Sequence, residues 1–277
     1  MRIEAQRKRI FSDMDLQLKD KVALVTGSTA GIGFAIAKAL AKEGARVIVN
    51  GRTQQRVNEA IARMKAEGNV FDGGGIAADL GTAEGVSDTV RRFPEVDVLV
   101  NNLGIFQAVP FEQITDAEWV RFFEVNVLSG VRLSRAYLPR MRERGWGRIV
   151  FISSESALQI PAEMIHYGMT KTAQLAVARG LAETVAGTEI TINSVLAGPT
   201  ASEGVSGFVR SWAEREKTDV ETIERQFFQH VRPTSLLKRF ERPEEIGAVV
   251  AFVCSPLASA INGTALRAEG GVVRSIA

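Results

Sequence analysis

Tyr167 and Lys171 stand four apart in Tyr-Gly-Met-Thr-Lys, and Ser154 ends the run Phe151-Ile152-Ser153-Ser154 thirteen residues upstream. On a helix, residues four apart share a face, so the phenol and the ammonium point the same way. Such a pair suits proton exchange at an oxygen atom. A free tyrosine has a pKa near 10, too high for an efficient base at neutral pH. A neighbouring lysine cation favours the phenolate, and lowering the pKa to about 7 takes ~4 kcal/mol of differential stabilisation. Ser154 adds a hydroxyl able to hydrogen-bond and orient the reacting oxygen. With two Tyr and nine Lys in 277 residues, a Tyr-x-x-x-Lys pair arises by chance in roughly one such sequence in fifteen, so its context decides.

That context includes Thr26-Gly27-Ser28-Thr29-Ala30-Gly31-Ile32-Gly33, placed between a β-branched run and a helical pattern. Glycines at a strand-to-helix turn let the backbone approach a pyrophosphate and leave helix N–H groups aimed at it. A carboxylate at the end of the second strand would bind the ribose 2′-hydroxyl of NAD, whereas an arginine accommodates a 2′-phosphate. The chain reads Asn50-Gly51-Arg52-Thr53 there, with Arg56 one helical turn on and no carboxylate. A guanidinium fork matches a phosphate, which favours NADP(H) over NAD(H).

The elements that position these residues alternate from residue 21 onward. Strand-like runs are Val22-Thr26, Arg46-Asn50, Ile76-Asp79, Asp97-Asn101, Arg148-Ser153, Glu189-Val195 and Thr264-Arg267. Helical periodicity marks Gly31-Glu43, Thr53-Glu67, Asp116-Arg135 and Tyr167-Thr184. Nearly continuous apolar strands between amphipathic helices imply a doubly wound parallel α/β sheet, a Rossmann fold, covered on both faces. No repeat or linker divides it, so residues 14–277 are expected to form one domain, preceded by a flexible tail at 1–13. Residues 203–240 depart from the alternation with two helix-like stretches, Glu203-Arg215 and Val220-Val231. Phe208 and Trp212 share one helix face, Ile223 and Phe227 another. The segment is expected to be a helical substrate lid, with Phe208 and Trp212 touching substrate or packing the insertion onto the core.

Composition excludes other classes. Apolar residues at 45% and charged residues at 24% are ordinary for a globular chain. A net charge of +2 is far from the basic balance of a nucleic-acid binder. One Cys and two His argue against a thiolate cluster or a zinc or iron site, and the cysteine usage fits a reducing, cytoplasmic setting. The most apolar run, Ile246-Cys254, is broken by Ser255-Pro256 at about half the ~20 residues of a membrane span. Cys254 reads as core, His166 as a structural imidazole and Glu155 as a loop charge.

Together the motifs resemble the short-chain dehydrogenase/reductase family, from Leu18 to the C-terminus. Besides the glycine turn and the Ser154/Tyr167/Lys171 set, the matching pieces include Asp79-Leu80, Asn101-Asn102-Leu103-Gly104, Asn126 in Val125-Asn126-Val127, Asn193 and Gly270-Gly271. The resemblance implies catalysis by Asn126, Ser154, Tyr167 and Lys171, with Asn126 holding a water that relays protons to Lys171. It implies cofactor contacts from Gly27, Ser28, Thr29, Gly31, Ile32, Gly33, Arg52, Asp79, Leu80, Asn102, Gly104, Tyr167, Lys171, Thr200 and Ser202. Substrate contacts would come from Ser154 and Tyr167, joined by Phe208 and Trp212. The expected activity is NADP(H)-dependent hydride exchange with a small carbonyl or alcohol. The expected assembly is a homotetramer or homodimer packed through helices 116–138 and 167–185. The alternative is a cofactor-sensing protein without turnover. Three departures stand out: Leu103 where the family has Ala, Ala197-Gly198-Pro199 after the sixth strand, and Glu269 for the more common Asp.

Overall fold

The seven strands are β1 (Val22–Val25), β2 (Arg46–Gly51), β3 (Gly74–Ala77), β4 (Val98–Asn101), β5 (Trp146–Ser154), β6 (Glu189–Ala197) and β7 (Ala265–Ala268). They form one sheet in the order β3-β2-β1-β4-β5-β6-β7, with every pairing parallel. The computed structural model describes residues 15–67 and 71–276, apart from the Phe208 side chain. The expected tail at 1–13 lies outside the described residues.

Successive residues of a strand face opposite sides, and here both sides are buried. Ala23 and Val25 of β1 and Val47 and Val49 of β2 join one apolar layer with α1 (Gly31–Lys42), α2 (Gln54–Ala66) and α9 (Pro243–Cys254). Leu24 and Ile48 join the other, with α3 (Ala83–Arg92), α5 (Ser129–Arg144) and α6 (Ile165–Glu183). Two covered faces explain why the strands read as apolar runs without polar alternation. The Ile246-Cys254 run proves to be most of α9, packed on α1, and its Cys254 is core. Helix α3 has no counterpart among the helical stretches expected from the sequence. Its ten residues hold few apolar groups, and Thr82 caps it by accepting from the Gly85 N–H.

The pattern over 116–135 predicts one helix, and the chain is helical throughout, with one change of hydrogen-bond register. Helix α4 (Asp116–Phe123) runs into a π-helical turn, Glu124–Leu128, before α5 begins. The insertion is a helical pair, as expected: α7 (Glu203–Glu216), capped by Ser202, and α8 (Val220–Gln226), capped by Asp219. A second π-helical turn, Phe227–Val231, follows α8. The pair has its own small core of Val209, Ala213 and Ile223, against which Trp212 and Phe240 pack. Strand order reverses between β1 and β4, and a crevice opens at the carboxyl ends of strands at such a switch point.

Candidate active site

At that crevice the turn after β1 is held from both flanks. The Gly27 N–H donates to Asn50 Oδ1 at 3.0 Å, and Asn102 Nδ2 donates to the carbonyls of Thr26 at 2.9 Å and Gly27 at 3.2 Å. Gly27 and Gly31 take φ of +61° and +54°, where a side chain is strained. A Cβ on Gly33 would lie 2.4 Å from both Gly27 O and Asn102 Nδ2. Ala30, preceding α1, supplies no side-chain cap, so first-turn N–H groups are left for an anion. This cradle fits a dinucleotide pyrophosphate. Within the turn, the buried Ser28 hydroxyl donates to Val25 O at 2.7 Å and accepts from the Asn50 N–H at 2.9 Å. It ties β1 to β2. Leu80 is buried in the core beside Val86, leaving only its backbone to face a ligand. Asp79 and Arg52 are exposed at the ends of β3 and β2. Arg56 points elsewhere, its Nη2 at 2.7 Å from Glu203 Oε2 on the first turn of α7.

A cleft of about 880 Å³ joins the turn to the second cluster, and Ile32, Asn102, Gly104, Ser154, Tyr167, Lys171, Thr200, Ser202 and Trp212 all line it. The predicted constellation is therefore brought together from β4, β5, α6 and the loop after β6. Nine-residue pairing of β5 with β6 carries Ser154 to the sheet edge opposite Ala197. Ser153 Oγ donates to Lys171 O at 2.9 Å and fixes α6 on β5. Lys171 Nζ donates to Ile152 O at 2.9 Å and lies 5.6 Å from the centre of the Tyr167 ring. Burial lowers the Lys171 pKa to about 8, with Glu155 opposing. The Tyr167 phenol is pushed up by burial first and by the Glu155 charge second, while Ser154 and Arg232 pull it down. Burial thus works against the phenolate, which the Lys171 cation and an oxidised nicotinamide ring together are expected to favour.

Asn126 is held beside this cluster. Its Oδ1 accepts from the Ile105 N–H at 2.8 Å, and its Nδ2 donates to Ile105 O at 3.0 Å and Thr170 Oγ1 at 2.9 Å. The Asn126 carbonyl accepts from Gln174 Nε2 at 2.6 Å, and Gln174 Oε1 lies 3.4 Å from Lys171 Nζ. The Gln174 amide thus links the Asn126 carbonyl to Lys171.

Glu155 is no loop charge. It is buried, accepts the Ser154 hydroxyl on Oε2 and pairs through Oε1 with Arg232 Nε at 3.0 Å. Sequence spacing gave no sign of this partnership, since Arg232 is 77 residues away. His166 is structural as read, packed against Phe122 and Trp119, and burial lowers its pKa with Glu118 opposing. The three departures have local reasons. Leu103 packs on the second apolar layer. A Cβ on Gly198 would meet Glu241 Oε1 at 2.6 Å. Glu269 accepts from the Val272 and Val273 N–H groups and pairs with Arg267, closing the Gly270-Gly271 loop.

This fold and site define a dinucleotide-binding oxidoreductase, and comparison with known proteins agrees. The family model described as short chain dehydrogenase matches residues 21–212, and the chain belongs to that family. It is 51% identical to the uncharacterized oxidoreductase YvaG of Bacillus subtilis (strain 168), over 95% of this chain and all of that one. Identity to the D-beta-hydroxybutyrate dehydrogenase of Cupriavidus necator is 32%, over 92% of this chain and 99% of the other. The crystal structure of L-sorbose reductase from Gluconobacter frateurii, complexed with NADPH and L-sorbose, superposes with a TM-score of 0.89 at 31% identity. That match covers 95% of this chain and all of the other. A 7α-hydroxysteroid dehydrogenase complexed with NADH has a TM-score of 0.81 at 27% identity, covering 96% of this chain and all of that one. The protein is an oxidoreductase of alcohol and carbonyl groups. Among the described residues no helix is long and apolar enough to cross a membrane.

Proposed function

We propose that the chain interconverts a small ketone and its secondary alcohol with NADP(H), using Ser154, Tyr167 and Lys171. The observation that carries this reading is the convergence of those side chains on the cleft that continues to the glycine turn. Bound nicotinamide supplies or accepts the hydride. Tyr167 exchanges the proton at the substrate oxygen, and Lys171, held by Ile152 O and Gln174, supplies the positive charge that favours the phenolate. Ser154 donates to Glu155 in this structure, so it meets an alcohol as an acceptor and must turn its hydroxyl to meet a carbonyl. Arg52, exposed at the end of β2, supports NADP(H), as does the NADPH of the L-sorbose reductase neighbour. Val120 and Phe123, exposed on α4, support oligomerisation through the 116–138 face. A sensing role without turnover finds no support in relatives named as oxidoreductases.

The test is a screen of ketones and alcohols with both cofactors, read by nicotinamide absorbance. Tyr167→Phe keeps the ring but removes the transferable proton, so turnover is expected to fall ~10²–10⁴-fold with cofactor affinity unchanged. Near wild-type turnover by that variant refutes the assignment.

A further inference from the structure

One wall of the cleft is polar, and its extent beyond the Ser154–Glu155 contact is not used by the chemistry just described. The Glu155 and Arg232 side chains are only 6% and 9% exposed, yet both line the cleft. Glu155 Oε1 takes Arg232 Nε at 3.0 Å and the Ser156 hydroxyl at 3.2 Å. Arg232 Nη1 donates to Val231 O at 3.0 Å and lies 3.3 Å from Glu163 Oε1, on a half-exposed side chain that also lines the cleft. Arg232 Nη2 meets no protein acceptor among the described residues. Removing a charged pair from water is costly, and replacing one with apolar groups is often neutral or stabilising. The facing walls are apolar, with Phe106, Met164, Trp212, Phe227 and Phe240. A wholly apolar substrate would make no use of an ion pair beside the reacting oxygen.

The charges decide what would use it. The wall's two carboxylates and one guanidinium sum to −1, and Lys171 is committed to the reacting oxygen, so a carboxylate or phosphate laid against the wall meets net repulsion. The other arginine at the cleft, Arg215, is exposed near Glu216 and belongs to the mouth. A hydroxyl both accepts and donates, and it matches a guanidinium N–H lying beside carboxylate oxygens. We propose that the Glu155–Arg232–Glu163 wall reads a hydroxyl on the carbon next to the reacting one, making the substrates neutral hydroxy ketones and polyols. This rests on the oxidoreductase reading above and names its substrate class.

A matched series tests it, with NADPH as reductant and kcat/KM as the readout. The probes are 1-hydroxy-2-butanone, 3-pentanone (a methyl in place of the hydroxyl) and 2-oxobutanoate (a carboxylate there). L-Sorbose serves as the polyhydroxylated member. The wild type should favour 1-hydroxy-2-butanone over 3-pentanone by at least about tenfold and reduce 2-oxobutanoate least. Arg232→Met should bring the first ratio to within about threefold, chiefly by losing the hydroxy ketone. Glu163→Gln, which removes a half-exposed charge and leaves the buried pair intact, should raise 2-oxobutanoate relative to 1-hydroxy-2-butanone. It keeps the test decisive where Arg232→Met does not fold. An unchanged hydroxyl preference in folded Arg232→Met, a wild-type preference for 2-oxobutanoate, or no turnover of either hydroxylated probe overturns the inference. Tyr167→Phe is measured alongside on the best probe. Its retention of activity overturns the catalytic reading, whereas a missing hydroxyl preference with Tyr167→Phe inactive overturns only the substrate class.

Discussion

Cofactor preference should hinge on Arg52, and the structure both sharpens and redirects the perturbation that tests this. Arg52 is exposed at the end of β2 with no ion pair among the described residues, so its guanidinium is free for a phosphate. Arg56, the other candidate, is engaged by Glu203 at 2.7 Å. A charge-assisted bidentate contact is worth about 1.5–3 kcal/mol, so Arg52→Ala should weaken NADPH roughly 10- to 100-fold and leave NADH almost unchanged. The simple converse, adding a carboxylate through Gly51→Asp, runs into a wall. A Cβ at 51 would sit 2.5 Å from Thr29 Cγ2, with Val57 Cγ2 next at 3.4 Å and Thr29 Oγ1 at 3.5 Å. Overpacking of this kind costs about 1–3 kcal/mol and would distort the phosphate turn, so Gly51→Asp alone should weaken both cofactors. Thr29→Ser removes the offending methyl and leaves the tolerated oxygen. The triple change Thr29→Ser, Gly51→Asp, Arg52→Ala is therefore the one expected to prefer NADH. Calorimetric titration of both cofactors into each variant measures this. Equal wild-type affinities, or an Arg52→Ala loss below about twofold for NADPH, would refute the reasoning.

Two further outcomes follow from the same structure. Residues 203–231 should exchange backbone hydrogens faster than 22–50 and slow when cofactor and substrate bind, since their own core is small; strong protection without ligand would make them a fixed part of the core. Glu241 is held by burial with its pKa raised from 4.5 to about 7, despite accepting from the Gly198 N–H and Thr200 Oγ1. Between those values the folded chain keeps a proton that the unfolded chain loses, so stability falls as pH rises through this window. Glu241→Gln cannot ionise, and its Tm gain over wild type should be larger at about pH 8 than at about pH 5; equal gains would contradict the assignment.

The sheet was readable because parallel strands buried on both faces are written as uninterrupted apolar runs, and all seven appear within a few residues of their expected places. Ser154, Tyr167 and Lys171 were readable because each sits at the end of a regular element or one turn apart. What escaped has a common physical origin. Glu155 and Arg232 find each other across 77 residues, through a fold-level juxtaposition that no local spacing encodes. Gln174 looks like any polar residue on a helix until the π-helical turn sets the Asn126 carbonyl 2.6 Å from its amide. Ser28 belongs to a motif read for its backbone, and only the approach of β2 shows where its hydroxyl goes. Helix α3 carried too few apolar residues to announce itself, since its capping and packing come from neighbours.

The π-helical turn at Glu124–Leu128 also bears on how such a site arises. Each α-helical residue rotates the chain by about 100°, so an ordinary insertion would swing Leu133, Tyr137 and Met141 off the sheet. A π-helical turn absorbs about one extra residue as a local bulge and returns the helix to its former phase. Deleting one residue from 124–128 would thus fuse α4 and α5 without disturbing the packing of α5. What would vanish is the reach of Asn126 to Ile105 and Thr170. By that geometry a single in-frame codon separates a plain scaffold helix from one that brings Asn126 to the site.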